Sequence, residues 1–268
     1  MRNIFEGYAE SPKYFRRFLW KILHNYLIMK DKNFEIHFMN YGYYDEHAQL
    51  LELKEEDEPE RYCINLYHQN VSDVEISGKD ILEVGCGRGG GASYISRYFQ
   101  PKSYIGLDLS NKAIKFCNEN YNIQCLSFIR GKAEKLPFED KSFDAVVNVE
   151  SSRGYSDMES FLSEVYRVLK SNGHLLFSDM RTHEGNEMLQ QQFENAKLNV
   201  ITKRKILPNV LKALDLDSER RKKLIEKKNP KFLHKSLHEF SGVKGSKRYK
   251  LFEDGTMGYY SYVLQKFD

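Results

Sequence analysis

Asp80-Ile81-Leu82-Glu83-Val84-Gly85-Cys86-Gly87-Arg88-Gly89-Gly90-Gly91 decides the fold of this chain. Ile81, Leu82 and Val84 around Glu83 read as the end of a buried parallel strand. Glycines 85, 87 and 89 then open a turn, and 92–99 carries a helical pattern. Lacking a Cβ, such a turn brings backbone close to a ligand at the carboxyl edge of a sheet, near a helix N-terminus. Working outward, Ser103-Tyr104-Ile105-Gly106-Leu107-Asp108 is a second strand ending in an acid, about 20 residues on, where a carboxylate meets a ribose diol. Gly85, Gly87 and Gly90 satisfy the dinucleotide spacing, so NAD and S-adenosylmethionine both remain open from these residues.

Further stretches narrow the choice. Leu82 to Gly89, Gly106-Leu107-Asp108-Leu109-Ser110, Gly131-Lys132-Ala133-Glu134-Lys135-Leu136-Pro137-Phe138, Ser142 to Val147 and Val165 to Gly173 follow one another in order. Together they resemble the successive motifs of class I S-adenosylmethionine-dependent methyltransferases, over roughly residues 80–180. Phe38-Met39-Asn40-Tyr41-Gly42-Tyr43-Tyr44-Asp45 and Asn148-Val149-Glu150-Ser151-Ser152-Arg153-Gly154-Tyr155 are similar to the phthiotriol/phenolphthiotriol dimycocerosate methyltransferases and to natural-product O-methyltransferases. The resemblance implies an α/β fold with a doubly wound, seven-stranded, mostly parallel Rossmann-like sheet, N-terminal helices and a helical cap insertion. It also implies S-adenosylmethionine as cofactor and a small-molecule or lipid-like acceptor, with a hydroxyl oxygen favoured.

The resemblance assigns candidate roles. Glu83, Gly85, Cys86, Gly87 and Gly89 would line the methionine half of the cofactor, with Glu83 near its ammonium. Asp108 would take the ribose, and Leu109 the adenine face, while Ser110 caps the next helix. Lys132 stands where relatives often carry an adenine-accepting Asp, and lysine cannot accept. Ala133 backbone and the Glu134 side chain, or stacking, are the open substitutes. Asn148, Val149 and Glu150 end a strand at the edge where cofactor and acceptor meet, and Tyr41, Tyr43 and Tyr44 form a lid or an aromatic core. Arg153 replaces a frequent His, and arginine cannot act as a general base. An anion-holding role and a structural ion pair are both open for it. Tyr155 beside it is a further catalytic candidate, and His183 is the remaining base candidate.

Alternating strand and helix patterns predict strands near 80–85, 103–108, 125–130, 143–148, 174–179, 198–206 and 258–266. Asp157 should cap a helix over 158–170, which Asn172-Gly173 stops. A helix is also expected over 50–67, with the acidic run 55–60 at a solvated turn. These patterns divide the chain into an N-terminal helical lid segment (1–75), a core (76–206 and 256–268) and a cap (207–255). Phe15, Phe18, Leu19, Ile22, Leu23, Tyr26 and Leu27 recur at helical spacing, which suits core packing, a homodimer interface or weak membrane-surface contact. Residues 201–250 hold 16 Lys or Arg against 5 Asp or Glu. That run attracts anions or is a solvated face, and its sparse aromatics speak against nucleic acid.

The 268 residues, 41% of them apolar, suffice for one large α/β domain, and the formal charge is only +3. Four cysteines without metal-ligand spacing point to reduced thiols, no metal and a cytoplasmic protein, and no transmembrane segment is evident. Two other functions stay open: protein or RNA methylation, and a methyltransferase-like fold that binds the cofactor without transferring its methyl, as a cyclase or scaffold.

Overall fold

The computed structural model describes residues 36–267; the amphipathic segment at 15–27 lies outside them. Helix α1 (Arg61–Val71) leads into β1 (Asp80–Val84), α2 (Gly90–Tyr98), β2 (Ser103–Asp108), α3 (Asn111–Asn120) and β3 (Leu126–Arg130). Then come β4 (Phe143–Val149), α4 (Met158–Val168), β5 (Leu169–Arg181), α5 (His183–Asn195) and β6 (Leu198–Lys205). Helices α6 (Leu207–Lys228), α7 (Lys231–Phe240) and α8 (Lys247–Glu253) separate β6 from β7 (Gly258–Lys266). The strands form one seven-stranded sheet in the order β3-β2-β1-β4-β5-β7-β6. β1 to β5 pair in parallel, and β7 runs antiparallel between β5 and β6.

Alternation within each strand explains the layering. Ile81, Ala145, Val147 and Leu176 face a core shared with α1, α2, α3 and α6, whereas Leu82, Val146, Leu175 and Phe177 face α4 and α5. At the amino edge, Lys170 Nζ donates to Asp80 at 3.0 Å and to Asp144 at 2.8 Å. With Ser103 and Lys102 also on it, the Asp80 carboxyl is held down to about 2. That ionic knot ties the strand starts together and leaves the carboxyl edge for ligands.

Two elements differ from the sequence expectation. The helix expected over 50–67 begins only at Arg61, after a short 3-10 turn, Glu58–Glu60. Pro59 fits only a first turn, and two of the acidic residues beside it are bound individually. Asp57 takes the Arg97 guanidinium at 2.6 and 2.7 Å, and Glu60 accepts from His37 N. The second difference is α4, which Asp157 caps as expected but which ends at Val168. Asn172-Gly173 makes a kink inside β5 rather than a boundary before it: Leu169 pairs with Phe143, and the register slips before His174 pairs with Ala145. Pairing on the neighbouring strand captures the segment, and Asn172 absorbs the slip at φ +61°.

The helices between β6 and β7 carry counter-charges of their own. Asp217 accepts from Arg220 and Arg221, and Lys244 pairs with Asp215. Arg221 also donates to the Asn40 and Tyr41 carbonyls, each at 3.1 Å, so α6 is tied to the 40–41 strap.

Candidate functional site

The glycine turn folds back on β2. Gly85 N and Cys86 N both donate to Leu107 O, at 2.7 and 3.1 Å. Gly85 lies at φ +82°, and a Cβ there would stand 2.4 Å from Ser151 Cβ. Gly89, at φ +76°, opens α2, while Cys86 is buried under the turn. Gly87 N donates to Asp108 Oδ2 at 3.1 Å, and Ser110 N to Asp108 Oδ1 at 2.8 Å. The turn and the acid are therefore one unit, and burial raises the Asp108 carboxyl. Ser110 caps α3 through Ala113 N. Beside it Leu109 is 46% exposed, an apolar face without cover at the carboxyl edge.

Glu83 stands differently from its expected place beside an ammonium. Its side chain is wholly buried, Oε1 accepting from Tyr67 OH at 2.8 Å and Oε2 from Tyr104 OH at 3.0 Å. It braces the turn from below. Desolvation pushes its carboxyl up to about 7 against the two tyrosine hydrogen bonds. An acid whose folded pKa lies above its unfolded one binds more protons when folded, so its contribution falls as pH rises from about 4.5 to about 7. We expect Glu83→Gln to remove a loss on the order of 3 kcal/mol across that window. Urea unfolding at pH 5 and pH 8 measures it, and equal pH slopes in the two proteins would refute the assignment.

At the end of β4, Asn148 Nδ2 donates to Val84 O at 2.9 Å, to Ser151 Oγ at 2.9 Å and to Tyr155 OH at 2.7 Å. Its Oδ1 is buried with no hydrogen-bond partner among the described residues. Val149 is buried. Glu150 follows at φ +52°, with Oε1 accepting from Tyr41 N at 2.8 Å and Tyr259 OH at 2.7 Å.

The three catalytic candidates fare unevenly. Tyr155 donates its hydroxyl to Val84 O at 3.0 Å, and burial drives its ionisation far upward; it is a neutral brace rather than a base. His183 has an 83% exposed side chain facing Glu187 across one helical turn, so nothing places it against an acceptor. Arg153 is exposed on the short Ser152–Gly154 turn. Below that turn Asp179 accepts from Ser152 Oγ at 2.6 Å and Arg181 at 3.0 Å.

Of the residues expected near adenine, Ala133 is buried and Lys132 exposed, bridging to Lys135. Glu134 Oε1 accepts from Ser156 N at 2.5 Å and from the Ser156 hydroxyl, so that oxygen is already engaged. Tyr41 is buried, its hydroxyl donating to Phe240 O at the end of α7 at 3.1 Å, and Tyr44 N reaches Asn209 O at 3.1 Å. Tyr43 N instead donates to Tyr62 O. Tyr67, Tyr104, Ser151 and Tyr259 escaped the sequence reading. Tyr104 and Ser151 lie inside motifs already noted without a role of their own, and nothing local marks Tyr67 or Tyr259. Among the described residues no group of His, Cys, Asp and Glu could hold a metal ion, and no helix is long and apolar enough to cross a membrane.

Comparison with known proteins agrees with this edge. The methyltransferase domain family matches residues 82–177. Phthiotriol/phenolphthiotriol dimycocerosates methyltransferase of Mycobacterium leprae is 39% identical over 92% of each chain. Fatty-acid O-methyltransferase of Mycolicibacterium smegmatis is 35% identical over 92% of this chain and 89% of its own. Among solved structures, geranyl diphosphate C-methyltransferase from Streptomyces coelicolor, in complex with its diphosphate and S-adenosyl-L-homocysteine, superposes with a TM-score of 0.62 at 15% identity. It covers 92% of this chain and 98% of that one. The cyclase SpnF shares the fold at TM-score 0.67 and 16% identity, over 93% of this chain and 94% of its own, so the fold alone does not choose the reaction. Identity of more than a third along nearly the whole of both chains does: the protein belongs to the S-adenosylmethionine-dependent methyltransferases.

Proposed function

We propose that this enzyme methylates an oxygen of a small, lipid-like acceptor, a hydroxyl ahead of carbon or nitrogen. The observation that carries the reading is the pair of relatives named for phthiotriol dimycocerosates and fatty acids, each matched over about nine-tenths of the chain. When bound, S-adenosylmethionine supplies a methyl group on cationic sulfur, so the protein's task is alignment and exclusion of water.

The residues at the edge fit that cofactor. Asp108 keeps lone pairs for a ribose diol after taking two backbone N–H groups. Leu109 offers an apolar face for adenine. The unpartnered Asn148 Oδ1 is a buried acceptor suited to the ammonium of the methionine half. Arg153, exposed at the rim, suits an anionic group on the acceptor. We take 76–206 and 256–268 as the core, 207–255 as a cap over the acceptor, and the 40–44 strap of the N-terminal segment as a lid; the Tyr41 to Phe240 hydrogen bond supports that pairing. Four free cysteines support a cytoplasmic setting.

Incubation with methyl-labelled S-adenosylmethionine tests the reading, with octadecanol and octadecanoate as probes and mass spectrometry of the product. Ether or ester formation is expected. Label entering bulk RNA or protein instead, with both lipids untouched, would overturn it.

A further inference from the structure

Three carboxylates lie where β1, β4 and β5 end, and two are closed. Glu83 has a tyrosine hydroxyl on each oxygen. Asp179 accepts from Ser152, Arg181 and Met180 N. Glu150 is different: both of its donors, Tyr41 N and Tyr259 OH, sit on Oε1. Oε2 has no donor among the described residues, and the residue is only half-buried.

Its backbone is unusual as well. Glu150 N donates to Ser178 O at 2.8 Å, continuing the β4–β5 ladder, yet φ is +52°. A left-handed non-glycine costs about 1–2 kcal/mol and persists only where the surroundings over-determine it. Here it turns the carboxylate out of the strand, two residues past the Asn148 knot on Val84 O. Its two holders come from opposite ends of the chain, the buried Tyr259 on β7 and Tyr41 in the strap.

We propose that Glu150 is the general base of the transfer, taking the acceptor's hydroxyl proton at Oε2 while Tyr41 and Tyr259 fix Oε1. This rests on the hydroxyl acceptor argued above. The acceptor oxygen forms the new bond to the methyl carbon, the electron pair of the carbon–sulfur bond stays on sulfur, and the hydroxyl proton passes to Glu150. No further oxidant or reductant is needed. Glu150 later returns the proton to water. A carboxylate acceptor, already ionised, would bypass it.

The surroundings suit that task. Desolvation pushes the Glu150 carboxyl up to about 7, Asp179 on β5 adds to the rise, and Arg221 on α6 opposes it with the two hydrogen bonds. Arg153 and Arg248 act on the adjoining Tyr41, whose own ionisation burial suppresses. A base with a pKa near the working pH is the efficient one.

Glu150→Gln tests the assignment, because the amide oxygen can still accept from Tyr41 N and Tyr259 OH. With octadecanol, wild-type kcat should rise with pH through about 7 and then level. The variant should lose that limb and roughly 100-fold or more in kcat, with S-adenosylhomocysteine affinity by calorimetry within about twofold. Its loss on octadecanoate should be at least roughly tenfold smaller. Of the two carbon-13 carboxyl resonances expected to titrate near 7 in the S-adenosylhomocysteine complex, those of Glu83 and Glu150, one should vanish in the variant. A retained limb, a parallel loss of cofactor affinity, or no such vanishing resonance would overturn the assignment. If wild type methylates neither probe, the acceptor reading fails, and the carboxyl titration alone then carries or sinks Glu150 as a base.

Discussion

Asp108→Ala should weaken S-adenosylmethionine binding by about 1.5–3 kcal/mol, roughly 10- to 150-fold in Kd. Two losses combine. The ribose hydroxyls lose a charged acceptor, and Gly87 N and Ser110 N lose the oxygens that tie the glycine turn to β2. S-adenosylhomocysteine should lose affinity equally, because the two ligands share the adenosyl part. Asp108→Asn, which keeps an acceptor without the charge, should fall between. Calorimetry with both ligands, and a Tm for each variant, separates a lost contact from a lost fold. Unchanged affinity in a folded Asp108→Ala protein would mean that the ribose lies elsewhere.

Gly85→Ala should cost about 2–5 kcal/mol of stability, from left-handed strain and overpacking together. The added Cβ would come within 2.4 and 2.5 Å of Ser151 Cβ and Oγ, at a residue with φ +82°. Ser151 cannot retreat freely, since its hydroxyl is held by Val84 O, Asn148 and Tyr155 within about 3 Å. Adding Ser151→Gly should therefore recover part of the loss, leaving the strain. Gly154→Ala, where a Cβ meets nothing within 4 Å, should stay within about 0.5 kcal/mol. Denaturant midpoints decide, and equal costs at 85 and 154 would refute the packing argument.

These residues also show what a sequence can disclose. Strand positions were legible because Ile81-Leu82 and Val146-Val147 are buried on both sides, and such strands read as unbroken apolar runs. The turn and Asp108 were legible because their chemistry is local. Glu83 was visible as an acid, but its partners come from α1 and β2, which no spacing rule connects. Arg153 and His183 stand out in the sequence only by residue type and by the positions they take in the family's motifs. What distinguishes Glu150 is a backbone angle and a donor on a strand about a hundred residues away, and such information exists only after folding. The helix expected over 50–67 failed for a nearer reason: Pro59 lies inside the stretch and fits only a first turn, so the helix begins after it.

β7 carries a consequence for how the molecule is assembled. Among the described residues it is the last strand in sequence, and it lies between β5 and β6, which share no pairing of their own. Until β7 arrives, the apolar row Leu175-Leu176-Phe177 borders an open edge, the kind that recruits a second chain. Closing it requires bridging α6, α7 and α8, so that segment is the tether whose length sets the entropy of the last step. Each residue inserted between β6 and β7 would thus delay, by a small logarithmic increment, the moment when the nascent sheet becomes safe from aggregation.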